Sequence, residues 1–337
     1  EAHLAKSQAE LQFIPSQFAE IIGHCCKVEK IDISQLKAQV GLGGNIAIPL
    51  VKQLTSVVKA ESEDASKFVH FGATSQDVID TAMMLQCKDA IHLMLPLLTQ
   101  SIEQLKVLAL AHQDTYLIGR SFMQQARPIS FDYKVAMWID SLQRAKQRLE
   151  SLKYYIQLGG AVGTLASMPQ KGIAIAQRMA SNMDLEYHPI SWHTQRDFVV
   201  EIASALGILS GSLGKIAKDI SLLMQTEIAE VFEPAGKGKG GSSTMPHKRN
   251  PVSSISILSN AQRVPNLIAT LLSAQIQDHE RATGTWHAEW ETLAQVVQLT
   301  AGSVRQMSIL TNGLEVNPDK MLANLEITQG FIPSPRR

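Results

Sequence analysis

A chain of 337 residues is long enough for two or three domains and a large core, and 45% apolar with 18% charged residues excludes disorder. Its 31 basic and 31 acidic residues cancel, so no global field draws in nucleic acid or an anionic membrane, and an anionic ligand must be met by local charges. Cys25, Cys26 and Cys87 offer neither the even count of a disulfide framework nor the paired spacing of a zinc site, which predicts reduced thiols in a cytoplasmic protein; no uninterrupted run approaches the ~18 apolar residues of a membrane span.

Helical periodicity dominates. Residues 1–88, broken at GLGGN (41–45) and FGATS (71–75), read as an N-terminal helical domain, and 89–325 as a central domain of long helices. Ile91, Leu95, Leu98, Ile102 and Leu105 open the first heptad seam of that domain. Val135, Trp138, Leu142, Ala145, Leu149, Leu152 and Ile156 form a second. Val199, Ile202, Leu206, Leu209, Leu213, Ile216, Ile220 and Leu223 form a third. Gly207, Gly211 and Gly214 punctuate the third seam, each at a cost of up to about 1 kcal/mol relative to Ala, so close packing of neighbouring backbones must compensate. Breaks fall at 119–128, 159–169 and 189–194, and Pro265 predicts a kink inside the helical stretch 252–277. No strand pattern stands out. These features predict an all-α elongated long-helix bundle.

Polar clusters lie at the predicted helix ends. In HFGATSQD (70–77), Thr74 and Ser75 serve either as ordinary N-caps or, with the free amides of a helix start, as a carboxylate site beside Gln76. His70 either satisfies backbone groups or faces a ligand. GRSFMQQARP (119–128) offers Arg120 and Gln124, and WHTQRD (192–197) offers His193 and Gln195. In DHERATGTWHAEWE (278–291), Arg281 reads equally as a structural ion pair with Glu280 or Asp278 and as a carboxylate contact. His279 and His287 are eight apart with no HExxH pair, which argues against zinc.

The segment GKGKGGSSTMPHKRNP (236–251) cannot continue a helix. Its Lys-Ser/Thr ending is missing, so it is no phosphate-binding P-loop. Its glycines let backbone amides approach a ligand, Ser242 and Ser243 supply hydroxyls, Lys248 a cation and Asn250 an amide. That chemistry suits proton transfer beside a carboxylate and an enolate-like oxyanion.

Taken together, HFGATSQD, GRSFMQQA and GSSTMPHKRNP, in this order along the chain, resemble the motifs of the fumarase/aspartase superfamily over nearly the whole chain. The resemblance implies an all-helical protomer forming a homotetramer with a twenty-helix core and active sites shared between subunits. It implies Ser242 as the catalytic proton carrier, with Lys248 and Asn250 holding one substrate carboxylate and Thr74 and Ser75 another. His70, Gln76, Arg120, Gln124, His193, Gln195, Ser243, Met245 and Arg281 would complete the pocket. Phe122 stands where adenylosuccinate lyases carry a general-acid His, and Trp290 where they carry an Arg. These departures resemble the superfamily branch that lactonises 3-carboxy-cis,cis-muconate in protocatechuate catabolism, a reaction on a small tricarboxylate that needs no metal or organic cofactor. Adenylosuccinate lyase or another lyase of the superfamily, and a non-catalytic helical scaffold, stand as the alternatives. By the same resemblance, residues 326–337 would begin a C-terminal helical domain that is largely missing; the start at Glu1 rather than Met implies that the N-terminus would be missing too.

Overall fold

The computed structural model describes residues 1–234, 245 and 248–327. In chain order the helices are α1 (Ala2–Glu10), α2 (Ser16–Cys25), α3 (Ile33–Gly43), α4 (Ala47–Glu61), α5 (Glu63–Ser66) and α6 (Ser75–Ala111). After the strands β1 (Tyr116–Ser121) and β2 (Gln124–Ser130) come α7 (Phe131–Glu150), α8 (Gly172–Asn182) and α9 (Asp197–Leu223). The two-residue strand β3 (Val231–Phe232) precedes α10 (Val252–Ala274) and α11 (Thr285–Thr311). A second, β4 (Glu315–Val316), precedes α12 (Pro318–Glu326). The fold is all-α, as expected, with two short antiparallel strand pairs among the described residues.

The chain packs as two compact units, Glu1–Asp89 with Lys153–Phe198 and Ala274–His287, and Ala90–Leu152 with Val199–Ser273 and Ala288–Arg337. The first unit therefore takes in segments beyond the contiguous 1–88. Leu4 of α1 packs in one cluster with Ile156, Met168 and, from α8, Ile175, Ala176 and Met179. An apolar helix face finds its complement in space, and the complement of α1 lies more than 150 residues away. The other core of this unit joins Ala5, Ile22, Cys25, Leu54, Val58 and Ala65 from α1, α2, α4 and α5. Local chemistry sets the helix ends: Asp32 accepts from the Ser34 and Gln35 N–H groups to start α3, and Gly44, at φ +72°, closes it.

Burial also sets the chemistry of Cys87 on α6, which is 3% exposed. Desolvation pushes its thiol from the usual 9.0 to about 12. Below both values the group is neutral in the folded and unfolded chain; as pH rises past 9 only the unfolded thiol ionises, so this group costs stability between 9 and about 12. Cys87 is expected to react with iodoacetamide at pH 9 on the order of 10²- to 10³-fold more slowly than in urea-unfolded protein, from its thiolate fraction alone. Peptide mapping of the alkylated chain measures this, and equal labelling in both states would contradict it.

In the second unit the third seam is buried throughout: its eight apolar residues from Val199 to Leu223 are all 4% exposed or less. Burial on α9 is broader than a seam, because Val200, Ala203, Ala205, Ser210, Gly214 and Ala217 are buried too. By length and mean hydropathy, 1.4 over an 18-residue window, α9 could cross a membrane, but 61% of that window is buried inside the protein, as a core helix would be. A Cβ on Gly207 would meet Ile268 at 2.1 Å and one on Gly214 would meet Ala261 at 2.8 Å, so these glycines let α10 approach. Gly211 meets nothing within 4 Å. The second seam ends with α7 at Glu150, leaving Leu152 and Ile156 outside the helix. Both α6 and α10 continue through their internal prolines, Pro96 and Pro265.

The hairpin of β1 and β2 corrects the expectation that no strands form. Its core-facing residues Leu117 and Ile118 are adjacent, and the register shifts between Ile118 and Arg120, so no clean alternation shows in the sequence. Its two-residue turn is Phe122–Met123, at φ +51° and +66°, without the Asn-Gly or Asp-Gly signal of such turns.

Candidate active site

The segment HFGATSQD folds as a turn feeding α6. Gly72 takes φ +79°, and a Cβ there would meet Met168 at 2.8 Å. Thr74 sits at the N-cap of α6, and Asp77, three residues on, turns back so that its Oδ2 accepts the Thr74 N–H at 2.9 Å. That is the carboxylate half of a capping box. Asp77 also accepts from the Gly159 N–H at 2.9 Å, the Gly160 N–H at 3.0 Å and His193 Nε2 at 2.7 Å. A carboxylate has about four acceptor positions, so this one is filled. Asp77 and His193 are each 2% exposed. Asp77 therefore clamps the start of α6 to the glycine loop and to the WHTQRD segment. Gly159 is required there because a Cβ would meet Ser191 Oγ at 2.7 Å, and Gly160 because its φ is +69°.

Arg281 closes the same cluster from the DHERATG segment. Its guanidinium donates to Thr74 Oγ1 at 2.9 Å, to the Ala161 carbonyl at 2.9 Å and to the Gly160 carbonyl at 3.4 Å. All three acceptors are neutral, and no carboxylate pairs with Arg281 among the described residues. Of five guanidinium N–H donors, these three bonds leave about two. The backbone N–H groups of Ser75 and Gln76, at the first turn of α6, likewise have no acceptor among the described residues. A half-buried guanidinium beside a helix N-terminus, with no carboxylate paired to it among the described residues, has the electrostatics to receive a carboxylate.

A second carboxylate holds this cluster from behind. Asp80 accepts from Arg196 Nη1 at 2.7 Å and Nη2 at 3.0 Å, from Trp286 Nε1 at 3.0 Å and from Gln76 Nε2 at 3.2 Å. The side chains of Asp80 and Arg196 are both 0% exposed. The Arg196 guanidinium lies 4.9 Å from the centroid of the Trp192 ring.

Of the residues expected to form the site, the first unit brings Thr74, Ser75 and Arg281 to one place. Gln76 is fully buried, with its amide nitrogen on the His193 carbonyl at 2.8 Å as well as on Asp80. His193 is committed to Asp77 and to Ser191 Oγ, the latter at 2.9 Å. His70, at φ +60°, donates from Nδ1 to the Glu1 carboxylate at 2.7 Å. Gln195 is exposed just before α9. Asp77, Asp80, Arg196 and the 159–163 glycines are the residues that sequence reasoning passed over. Asp77 had a legible signal, an acid three residues after a predicted cap; Asp80 and Arg196 had none, because their pairing is long-range.

In the second unit Arg120 forms a two-pronged pair with Glu230, at 3.0 and 2.8 Å, and Glu230 is 0% exposed. Asn324 Nδ2 adds a bond to the same carboxylate at 2.8 Å. Gln124 is exposed at the start of β2, beside Phe122, which is 99% exposed. Met245 and Lys248 are exposed and Asn250 half-buried. Between Lys248 and Asn250, Arg249 pairs with Glu315 at 2.8 and 2.9 Å and donates to the Glu233 carbonyl at 2.7 Å. The Glu233 carboxylate accepts the Ser253 and Ser254 N–H groups at 2.9 and 2.7 Å, capping α10. Ser242 and Ser243 lie outside the described residues.

The lyase family profile matches residues 1–265. The chain is 46% identical to 3-carboxy-cis,cis-muconate cycloisomerase of Acinetobacter baylyi, over 98% of this chain and 75% of that protein. It is also 46% identical to the enzyme of the same name from Bradyrhizobium diazoefficiens, over 98% of this chain and 74% of that one. Among solved structures, 3-carboxy-cis,cis-muconate lactonizing enzyme from Pseudomonas putida superposes with a TM-score of 0.94 at 43% identity, covering 98% of this chain and 74% of that chain. The chain thus spans about three quarters of these relatives' lengths.

Proposed function

The chain belongs to the lyase family within the fumarase/aspartase superfamily, and on that premise we propose that it is a 3-carboxy-cis,cis-muconate cycloisomerase, forming 4-carboxymuconolactone in protocatechuate catabolism. The observation that carries this reading is the carboxylate receptor made by Arg281, Thr74, Ser75 and the open amides of α6. It suits a tricarboxylate, whose charge the near-neutral chain must meet locally. In the reaction one substrate carboxylate oxygen adds to the substrate's own alkene, so a C–O bond forms and the C=C π bond breaks. The neighbouring carboxylate takes up negative charge as an aci-carboxylate, and a protein acid delivers a proton to the α-carbon. Atoms and electrons balance without an oxidant or reductant.

We assign the proton to Ser242 and the stabilisation of the charged intermediate to Lys248 and Asn250, with Ser243 and Met245 alongside. Gln124 and Gln195, each exposed, are assigned to substrate binding by the same motif resemblance. Arg120, held by Glu230, places the hairpin rather than meeting substrate with its full fork. At the hairpin tip the apolar Phe122 supplies no proton, which suits a leaving group that in reverse is a carboxylate and disfavours adenylosuccinate lyase chemistry.

A homotetramer with shared active sites follows from the same reading. Exposed apolar residues on α6, Leu93 at 75%, Val107 at 68% and Leu110 at 71%, and the open Gly211 on α9 suit burial by further copies of the chain. Sedimentation velocity should give a mass four times that of the chain. Three free cysteines are consistent with a cytoplasmic protein.

The direct test is the ultraviolet absorbance of 3-carboxy-cis,cis-muconate mixed with the purified protein, with adenylosuccinate in a parallel cuvette. Loss of the conjugated-diene signal with adenylosuccinate untouched is the expected result. Turnover of adenylosuccinate, or of neither compound, would refute the assignment.

A further inference from the structure

The geometry points to a zinc-class cation site in the first unit, formed by His24, Cys25 and Glu61 and guarded by Lys30. Their ligand atoms, one per residue, all lie within 4.8 Å of one another. His24 Nδ1 stands 3.4 Å from Glu61 Oε2. That is long for a hydrogen bond, but in a zinc tetrahedron with bonds of about 2.0–2.1 Å two such ligand atoms are separated by about 3.3 Å. The sulfur edges of the same tetrahedron are about 3.5 Å, so side-chain rotation of about 1 Å closes the set. Nitrogen, thiolate and carboxylate together are a donor set suited to zinc rather than to calcium or magnesium.

Two further features favour a cation at this point. Cys25 is the last residue of α2 and Glu61 the last of α4, and the carbonyl ends of helices attract positive charge. A cation is in fact already held there: Lys30 Nζ lies 2.7 Å from Glu61 Oε1 and 4.0 Å from Cys25 Sγ. The ammonium is a built-in competitor, carried by the three-residue 3-10 turn Val28–Lys30 and still 28% exposed, so it has room to swing into solvent. The Cys25 side chain is buried and forms the floor, while the His24 and Glu61 side chains, 60% and 37% exposed, leave the outer side open for a fourth, water ligand. On binding, the Cys25 S–H bond breaks, its proton leaves to solvent, and a sulfur–metal bond forms with no change of oxidation state. No motif announces this site in the sequence, because two ligands are adjacent and the third follows 36 residues after Cys25.

The test uses the full chain with cobalt(II) as the spectroscopic stand-in, followed by displacement with zinc. The expected result is a near-ultraviolet thiolate-to-cobalt absorption that saturates at one ion per chain and is bleached by zinc. It should vanish in Cys25→Ser, weaken at least tenfold in affinity in the exposed-side-chain variants His24→Asn and Glu61→Gln, and persist in Cys26→Ser. Lys30→Met should tighten binding about tenfold by removing the competitor. Absence of the band from the wild type, its loss in Cys26→Ser, or undiminished binding in both His24→Asn and Glu61→Gln would overturn the site, and the last two comparisons do not depend on Cys25→Ser folding.

Discussion

Arg281→Met is expected to lower kcat/KM for 3-carboxy-cis,cis-muconate by about 10²- to 10³-fold, roughly 2.7–4 kcal/mol of lost transition-state binding, with unchanged helical content. The size follows from charge. Arg281 already spends three bonds on neutral oxygens, those of Thr74, Gly160 and Ala161. Those bonds hold the guanidinium in place; they do not neutralise it. A substrate carboxylate arriving at the first turn of α6 completes an ion pair whose positive half is preorganised, and Met removes that half while keeping the length of the stem. Arg281→Lys should recover only part of the loss, because an ammonium cannot reach Thr74 Oγ1, two backbone carbonyls and a ligand with one fork. Steady-state kinetics on the wild type and both variants decide the matter. If Arg281→Met stays within about threefold of wild type, the carboxylate receptor lies elsewhere.

Arg196→Met should produce the largest loss of stability, about 3–5 kcal/mol, read as a lowered urea midpoint. The change leaves the Asp80 carboxylate, with no exposed surface, facing Trp286 Nε1 and Gln76 Nε2 as its remaining donors among the described residues. An uncompensated charge in such a place is more costly than the loss of the pair itself. The double variant Asp80→Asn/Arg196→Met is therefore expected to be less destabilised than the sum of its single variants by at least about 1 kcal/mol. Strict additivity in that cycle would show that the two side chains do not act as a unit. Because Gln76 joins Asp80 to the His193 carbonyl, Arg196→Met should also reduce turnover, although Arg196 touches no substrate.

The long helices were legible because their information is local and repeated. Every turn of α9 shows the same apolar spacing, so the heptad over 199–223 could be read from one chain, and its residues are the ones buried. Thr74 and Ser75 at the start of a helix were legible for the same reason, since capping is settled within one turn. The chemistry assigned to the segment that carries Ser242, Lys248 and Asn250 rests on residue types and on the resemblance of the motif.

Other features depended on tertiary structure. The hairpin at 116–130 hides because its buried pair, Leu117 and Ile118, is consecutive and its turn carries Phe122 and Met123 at positive φ. The partition into two units hides because α1 completes its core with α8, far along the chain. Most of all, Arg281 read equally as an ion-paired residue or a ligand contact, and no local pattern could choose. Folding brings Thr74 and the 160–161 carbonyls to the guanidinium and no carboxylate among the described residues, which speaks against the ion pair and is the ground for the proposed ligand contact. Periodicity and caps are encoded within a few residues of themselves; the balance of charge at a point in space is encoded by segments that meet only once the chain has folded.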